Sequence, residues 1–135
     1  MPLSQVLAGL PAFLLCFALG MVLLAVFLVV YLAVTPYNEI ALIRDGNVAA
    51  AISLGGAIIG FVLPLASAIA HSVGLIDMLV WASIALVAQV AAYFLISRLV
   101  PHFPEAVKAG RVAGAALLAA VAVAVGLINA ACLTY

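Results

Sequence analysis

Residues 7–34 read LAGLPAFLLCFALGMVLLAVFLVVYLAV, with no charged side chain among them. An α-helix needs about 20 mostly apolar residues to cross about 30 Å of hydrocarbon, and in lipid it is one of two structures that satisfy every backbone polar group internally. This run decides the fold: the chain enters a membrane. The span expected at 6–34 exceeds the length required, so it tilts or extends past the hydrocarbon. Pro11 either kinks it near its start or sits in its first helical turn. Residues 1–5 carry no positive charge, and the apolar run that follows is too long for a cleaved signal peptide, so the segment reads as a retained membrane helix.

Outward from this helix, three more apolar segments are expected to span, at 48–70, 78–97 and 112–133. The charged residues are Glu39, Arg44, Asp45, Asp77, Arg98, Glu105, Lys108 and Arg111. All fall in the connections or at span ends, as the cost of charge in hydrocarbon requires. The whole chain of 135 residues is 71% hydrophobic and 6% charged, where a soluble domain has about 45–50% apolar and about 25% charged residues. The expected class is an all-α membrane protein of four transmembrane helices forming a single membrane domain, 1–135. Its main partner is the lipid bilayer. Net charge is zero and there is no basic tract, so nucleic acid is not an expected partner.

The connections are short, which makes neighbouring helices antiparallel. At 35–47, TPYNEIALIRDGN, Pro36 discourages continuation of the first helix, Asp45-Gly46-Asn47 signals a turn, and Asn47 is placed to cap the second helix. At 71–77, HSVGLID, Asp77 is placed to cap the third. At 99–110, Pro101 and Pro104 stop a helix. Arg44 lies in the first connection, while Arg98, Lys108 and Arg111 flank the third. The positive-inside rule then puts both connections in the cytoplasm and both termini outside, that is, periplasmic or extracellular.

The halves are related in sequence. Ile43-Arg44-Asp45-Gly46-Asn47-Val48-Ala49 aligns with Val107-Lys108-Ala109-Gly110-Arg111-Val112-Ala113, and Tyr31 and Tyr93 sit alike near the cytoplasmic ends of the first and third helices. The expectation is two tandem two-helix repeats, 1–70 and 71–135, related by an axis along the membrane normal.

The second helix carries the clearest pattern. Ser53, Gly56, Gly60, Pro64, Ser67 and His71 are spaced three, four, four, three and four apart and share one face. Small residues on such a face let helix backbones approach in lipid. The face therefore reads as a packing seam through which subunits assemble, with a polar pathway as the alternative. Gln89 and Asn129 are amides within apolar spans. Each is expected to find a partner, as an inter-helix hydrogen bond or as a ligand for an ion or solute. The turn holding Asn38 and Glu39, with Asn47 beyond it, reads as solvated, with Tyr37 anchored at the interface. The alternatives for Glu39 are pairing with Arg44, attracting a cation or gating a crevice. Cys16 and Cys132 are too few for a disulfide framework or zinc site and read as small residues inside the bundle. His71 and Asp77 lack a third ligand, so no metal is expected. No phosphate loop, metal cluster or nucleophile with a nearby base is present, so neither enzyme chemistry nor a cofactor is expected.

Several stretches also resemble a known family. Pro36-Tyr37-Asn38-Glu39, then Gly46-Asn47-Val48-Ala49-Ala50-Ala51-Ile52-Ser53-Leu54-Gly55-Gly56, Ile59-Gly60 and Pro64-Leu65, the region of Trp81, and Gly126-Leu127-Ile128-Asn129-Ala130-Ala131-Cys132 are similar to the YjfL-like membrane proteins, domain of unknown function family 350. The resemblance covers nearly the whole chain. It implies a bacterial inner-membrane protein of two tandem two-helix repeats and supplies no substrate. Two functional readings remain. One is a structural or regulatory subunit, homo-oligomeric through the glycine seam and docking a cytoplasmic protein through the first connection. The other is a small homo-oligomeric channel or transporter.

Overall fold

The computed structural model describes residues 2–71 and 73–133. Among the described residues seven helices follow in order: α1 (Leu3–Ala8), α2 (Leu10–Val34), α3 (Glu39–Arg44), α4 (Val48–His71), α5 (Leu75–Leu99), α6 (Phe103–Lys108) and α7 (Val112–Cys132). Four helical segments among the described residues are long and apolar enough to cross a membrane: Leu3–Val34, Val48–His71, Leu75–Leu99 and Val112–Cys132. The first is interrupted at Gly9, and Pro11 lies in the first turn of α2, where its missing N–H has no helical partner to lose.

Helix α4 is the spine of the bundle. It packs along α7, α5 lies against both, and α2 flanks α4 and α5. The α2 contact is aromatic: Phe27 stacks on Phe61 with ring centroids 4.4 Å apart and 4° between planes. The N-terminal half of α2 contributes little to this core. Phe13, Leu14, Leu15 and Phe17 are all exposed. An apolar surface of this extent is stable in lipid and not in water. Cys16 and Cys132 are exposed too, so the expectation that they lie inside the bundle is corrected: both face outward.

The connections that the sequence suggested were plain turns each contain a six-residue helix, α3 and α6. The two end alike. Gly46, at φ 86°, donates to the Ile43 carbonyl at 3.0 Å, and the Asn47 N–H donates to Leu42 at 2.9 Å. Gly110, at φ 79°, donates to Val107 at 3.0 Å, and the Arg111 N–H donates to Ala106 at 2.9 Å. This pair of bonds closes a helix C-terminus around a left-handed residue, a conformation glycine adopts without a Cβ penalty. The first residue of each short helix is buried, Glu39 in α3 and Phe103 in α6.

At the other end of the bundle α5 starts earlier than expected. Its N-cap is Gly74, so Asp77 lies in the first turn instead of at the cap. Its carboxylate accepts from the Val73 N–H at 3.2 Å and from the Trp81 indole N–H at 2.9 Å.

Candidate functional site

Two clusters stand out, one at the crossing of α4, α5 and α7 and one where α2 ends. At the crossing, small residues bring backbones together. A Cβ built on Gly56 would lie 2.5 Å from the Cα of Ala119. On Gly60 it would meet the Ala122 carbonyl oxygen at 2.3 Å, and on Gly126 the Gly60 carbonyl oxygen at 2.2 Å. Pro64 explains the last contact. Four residues before it, the Gly60 carbonyl loses its helical donor because proline has no N–H. The freed oxygen points at the Cα of Gly126, where a weak C–H···O contact replaces it. The seam therefore lies within one chain, between α4 and α7. That corrects the expectation that Ser53, Gly56, Gly60, Pro64 and Ser67 join separate subunits, since the face is already covered. Ser53 donates to the Ala50 carbonyl of its own helix at 3.1 Å, and Ser67 donates across to Ala130 at 3.2 Å. His71 is exposed, with Nδ1 2.9 Å from the Ser67 carbonyl.

Gln89 sits on this crossing and is 2% exposed. Its Nε2 donates to the Ala122 carbonyl at 3.1 Å, while its Oε1 has no partner. Asn129, which the sequence paired with it, is half-exposed near the C-terminal end of α7, one turn beyond Gly126, and its side chain makes no hydrogen bond among the described residues. The two amides are not part of one site.

The second cluster begins with chain termination. Pro36 excludes the helical conformation at the residue before it, and Thr35 is extended, with ψ 137°. The chain turns, Asn38 caps α3 by accepting from the Ala41 N–H at 3.2 Å, and Glu39 enters the first helical turn. Glu39 is 1% exposed, which corrects its reading as part of a solvated turn and as a docking residue. The Thr35 hydroxyl donates to the Glu39 carboxylate and lies 3.2 Å from the Leu32 carbonyl oxygen and 3.5 Å from that of Tyr37. The rings of Tyr31 and Tyr93 meet edge to face at 5.9 Å, and Tyr93 meets Phe103 at 6.0 Å. The Tyr37 and Tyr93 side chains lie close enough to interact. Loss of water around Glu39 pushes its carboxyl up to about 7, against the opposing pull of the Thr35 hydroxyl and its own backbone N–H. Tyr37 is held well above the ordinary phenol range, first by burial and then by Tyr93. Among the described residues no cation pairs with Glu39, and Arg44 is exposed.

Asn47 joins the two linkers. Its Oδ1 accepts from the Ala50 N–H at 3.0 Å, capping α4, while its Nδ2 donates to the Val107 carbonyl of α6 at 2.8 Å. A shallow depression of about 570 Å³ opens beside it, flanked by Asp45 and Lys108. Among the described residues no three potential metal-ligating His, Cys, Asp or Glu side chains come together.

The match to the model of the Domain of Unknown Function DUF350 runs over residues 5–133. The chain belongs to the DUF350 family. It is 34% identical over 131 residues to the UPF0719 inner membrane protein YjfL of Escherichia coli strain K12, covering 97% of this chain and 99% of that protein. The same figures hold for the protein of that name in Escherichia coli O157:H7. No solved structure matches. With the four candidate spans, this DUF350 chain is a multi-pass inner-membrane protein. Its sequence resemblance to the YjfL-like proteins is borne out along nearly its full length.

Sequence reasoning missed Thr35 and Tyr37 as neighbours of Glu39, and Gly126 as the partner of Gly60. Thr35 directly before Pro36 was a signal, because its hydroxyl can take the place of the missing backbone donor. The small residues of α7 that face α4 gave no signal, because alanines cover every side of that helix.

Proposed function

We propose that this DUF350 protein is a structural or regulatory inner-membrane subunit that presents its two linker helices to a cytoplasmic protein partner. The observation that carries this reading is the closed crossing: α4 and α7 touch backbone to backbone at Gly60 and Gly126. A solute has no passage between them, and Ser53 and Gln89 bond to backbone inside the chain. The partner's surface would be the linker side, where Arg44, Asp45, Lys108 and Arg111 are exposed around the depression at Asn47. Copies of the chain would meet through outward faces of the bundle, because the glycine seam is occupied internally. The role is non-enzymatic.

Two further features belong to this reading. The matching C-terminal bonds of α3 and α6 support a duplicated two-helix hairpin. The position of Arg44, Arg98, Lys108 and Arg111 supports cytoplasmic linkers with both termini periplasmic. Reporter fusions at the termini and at Gly46 test the orientation: a periplasm-active enzyme should work at the termini and fail at Gly46. Native mass spectrometry of the complex extracted in mild detergent tests the function. A stoichiometric partner that is lost in a charge-reversed Arg44→Glu, Lys108→Glu chain is the expected result. A pure homo-oligomer unaffected by those changes would refute the partner.

A second reading, a passive channel between copies, draws on Asn129. This half-exposed amide lies in a span, with no side-chain hydrogen bond among the described residues, and a neighbouring copy could supply one. It predicts solute flux in liposomes that Asn129→Leu abolishes with assembly intact.

A further inference from the structure

We propose that the first span pairs with the first span of a second copy of this chain, along a stripe formed by Leu3, Leu7, Leu10, Leu14, Phe17 and Met21. The argument starts from length. The helical segment Leu3–Val34 has 32 residues, about 48 Å of helix at about 1.5 Å per residue. The hydrocarbon is about 30 Å thick. A tilt of about 40°, the top of the usual range, still leaves a height of about 37 Å. The excess lies at the N-terminal end. Leu15, Cys16 and Leu19 line one groove with Val73, Gly74 and Leu75, so the turn between α4 and α5 stands level with them. Helices α4 and α5 have 24 and 25 residues and already span about 36 Å each. Residues 3–14, about 18 Å of helix, therefore project past the end of the bundle and past the hydrocarbon. Every residue from 2 to 18 is exposed on the chain itself. Beyond the lipid, an apolar surface of this size needs another cover.

The projecting segment has two unlike sides. Successive helical residues turn by about 100°. Leu3, Val6, Leu7, Leu10, Phe13 and Leu14 then fall within one arc of about 120°. Ser4, Gln5, Ala8, Gly9, Pro11 and Ala12 take the remainder, so bulk lies on one side and small or polar groups on the other. Gly9 keeps right-handed helical dihedrals, which carries the arcs across the break between α1 and α2. The four leucines are spaced four, three and four apart, the spacing of a seam between two helices. Phe17 and Met21 continue that spacing toward the bilayer and are exposed too, so neither α4 nor α5 occupies the stripe. Only from Leu24 and Leu28 onward does the same spacing reach the chain's own core.

A stripe of this width fits one helix. A second copy supplies that helix in register. Copies inserted in one membrane share orientation and depth, so each presents the same leucines at the same height. Two copies meet about a twofold axis along the membrane normal, in an isologous contact where Leu10 faces Leu10. Lying flat on the lipid surface is the other way to hide the leucines. Helices that do so carry a strongly charged or polar face rich in Lys and Arg, and residues 3–14 carry no charge. The contact names the outward face through which copies join. It lies at the opposite end of α2 from the linkers and rests on nothing proposed for them.

The test uses the full-length chain in its native membrane at native expression level. Cys16→Ala and Cys132→Ala remove the existing thiols, and single cysteines are then placed along residues 3–14. Oxidation with copper phenanthroline links thiols whose Cα atoms stand within about 7 Å, and a non-reducing gel reads the dimer. The expected result is a dimer at Leu3→Cys, Leu7→Cys, Leu10→Cys and Leu14→Cys, several-fold stronger than at Ser4→Cys, Ala8→Cys and Ala12→Cys. All of these positions are exposed, so the changes leave the bundle's packing alone. Equal linking on both sides would mean random collision and would overturn the proposal. No linking at any position, as for a segment lying on lipid, would overturn it as well. So would a product whose mass shows a different protein at the leucine positions. Loss of the linker-side partner in the charge-reversed chain leaves this readout unchanged, so the two ideas fail separately.

Discussion

Replacing Gly126 by alanine adds one methyl group at the tightest point of the bundle. Its Cβ would sit 2.2 Å from the Gly60 carbonyl oxygen, 2.7 Å from the Gly60 Cα and 2.8 Å from its carbonyl carbon. Ordinary carbon–oxygen contact is about 3.3 Å or more, so α4 and α7 must part by about 1 Å. All three obstacles are backbone atoms and cannot rotate away, which puts the overpacking cost near the upper end of the usual range, about 3 kcal/mol. The separation also lengthens the Gln89 to Ala122 bond across the same crossing, a loss of about 0.6 kcal/mol for an average inter-helix bond in a membrane. Alanine's better helix propensity returns about 1 kcal/mol. The net expectation is a loss of about 2–3 kcal/mol. Gly55→Ala is the internal control. A Cβ there meets nothing within 4 Å, so only the propensity gain remains, at most about 1 kcal/mol. Equilibrium unfolding in mixed micelles with a rising fraction of denaturing detergent measures both. If Gly126→Ala proved as stable as wild type, or if both changes shifted stability by the same amount, the account of the crossing as a backbone contact would be wrong.

Three further predictions follow from other parts of the structure. Asn47→Ala removes the α4 cap and the bond to the Val107 carbonyl together, and should cost about 1–2 kcal/mol in the same unfolding assay. Gln89→Met gives up one hydrogen bond but also removes a buried oxygen without a partner. Stability equal to or above wild type is expected, because an unsatisfied buried acceptor costs about 1–3 kcal/mol; a large loss would mean that Oε1 has a partner in the membrane. The pH dependence has a definite sign. Burial raises the Glu39 carboxyl from 4.5 to about 7, so the folded chain holds this proton more tightly than the unfolded one. Its stabilising contribution is complete below about pH 4.5 and is lost as pH rises through about 7. Tm should fall between pH 5 and pH 8 in wild type, and much less in Glu39→Gln.

The architecture was legible because its cause is crude and repeated. Four apolar runs, and charges confined between them, fix four spans whatever the packing details. The pattern Ser53–Gly56–Gly60–Pro64 correctly marked a face of close approach, but not what approaches it. Periodicity reports which side of a helix is small. It says nothing of whether the neighbour is another part of the chain or another copy. Helices α3 and α6 escaped notice because six residues hold fewer than two turns, too short for a periodic signal, and both follow prolines that suggested irregular chain. The burial of Glu39 was illegible for a different reason. A carboxylate beside a turn normally faces water, and only the tertiary placement of Tyr31, Tyr37 and Tyr93 closes water off. The earlier start of α5 moved Asp77 from cap to first turn, because Gly74 supplied the cap with no side chain at all.

The two short helices have one more consequence. They start from different N-caps, an extended Asn38 whose side chain caps α3 and a left-handed His102 before α6, but both end in the same pair of bonds and bury their first side chain, a carboxylate in α3 and a phenyl ring in α6. The molecule thus contains its own control experiment. The same helix ending closes once beside a buried ionisable group and once beside a buried hydrocarbon, so that ending does not need the acid in order to form. The burial of a carboxylate at Glu39 is therefore not dictated by how the short helix ends, and its reason lies in what surrounds that side chain.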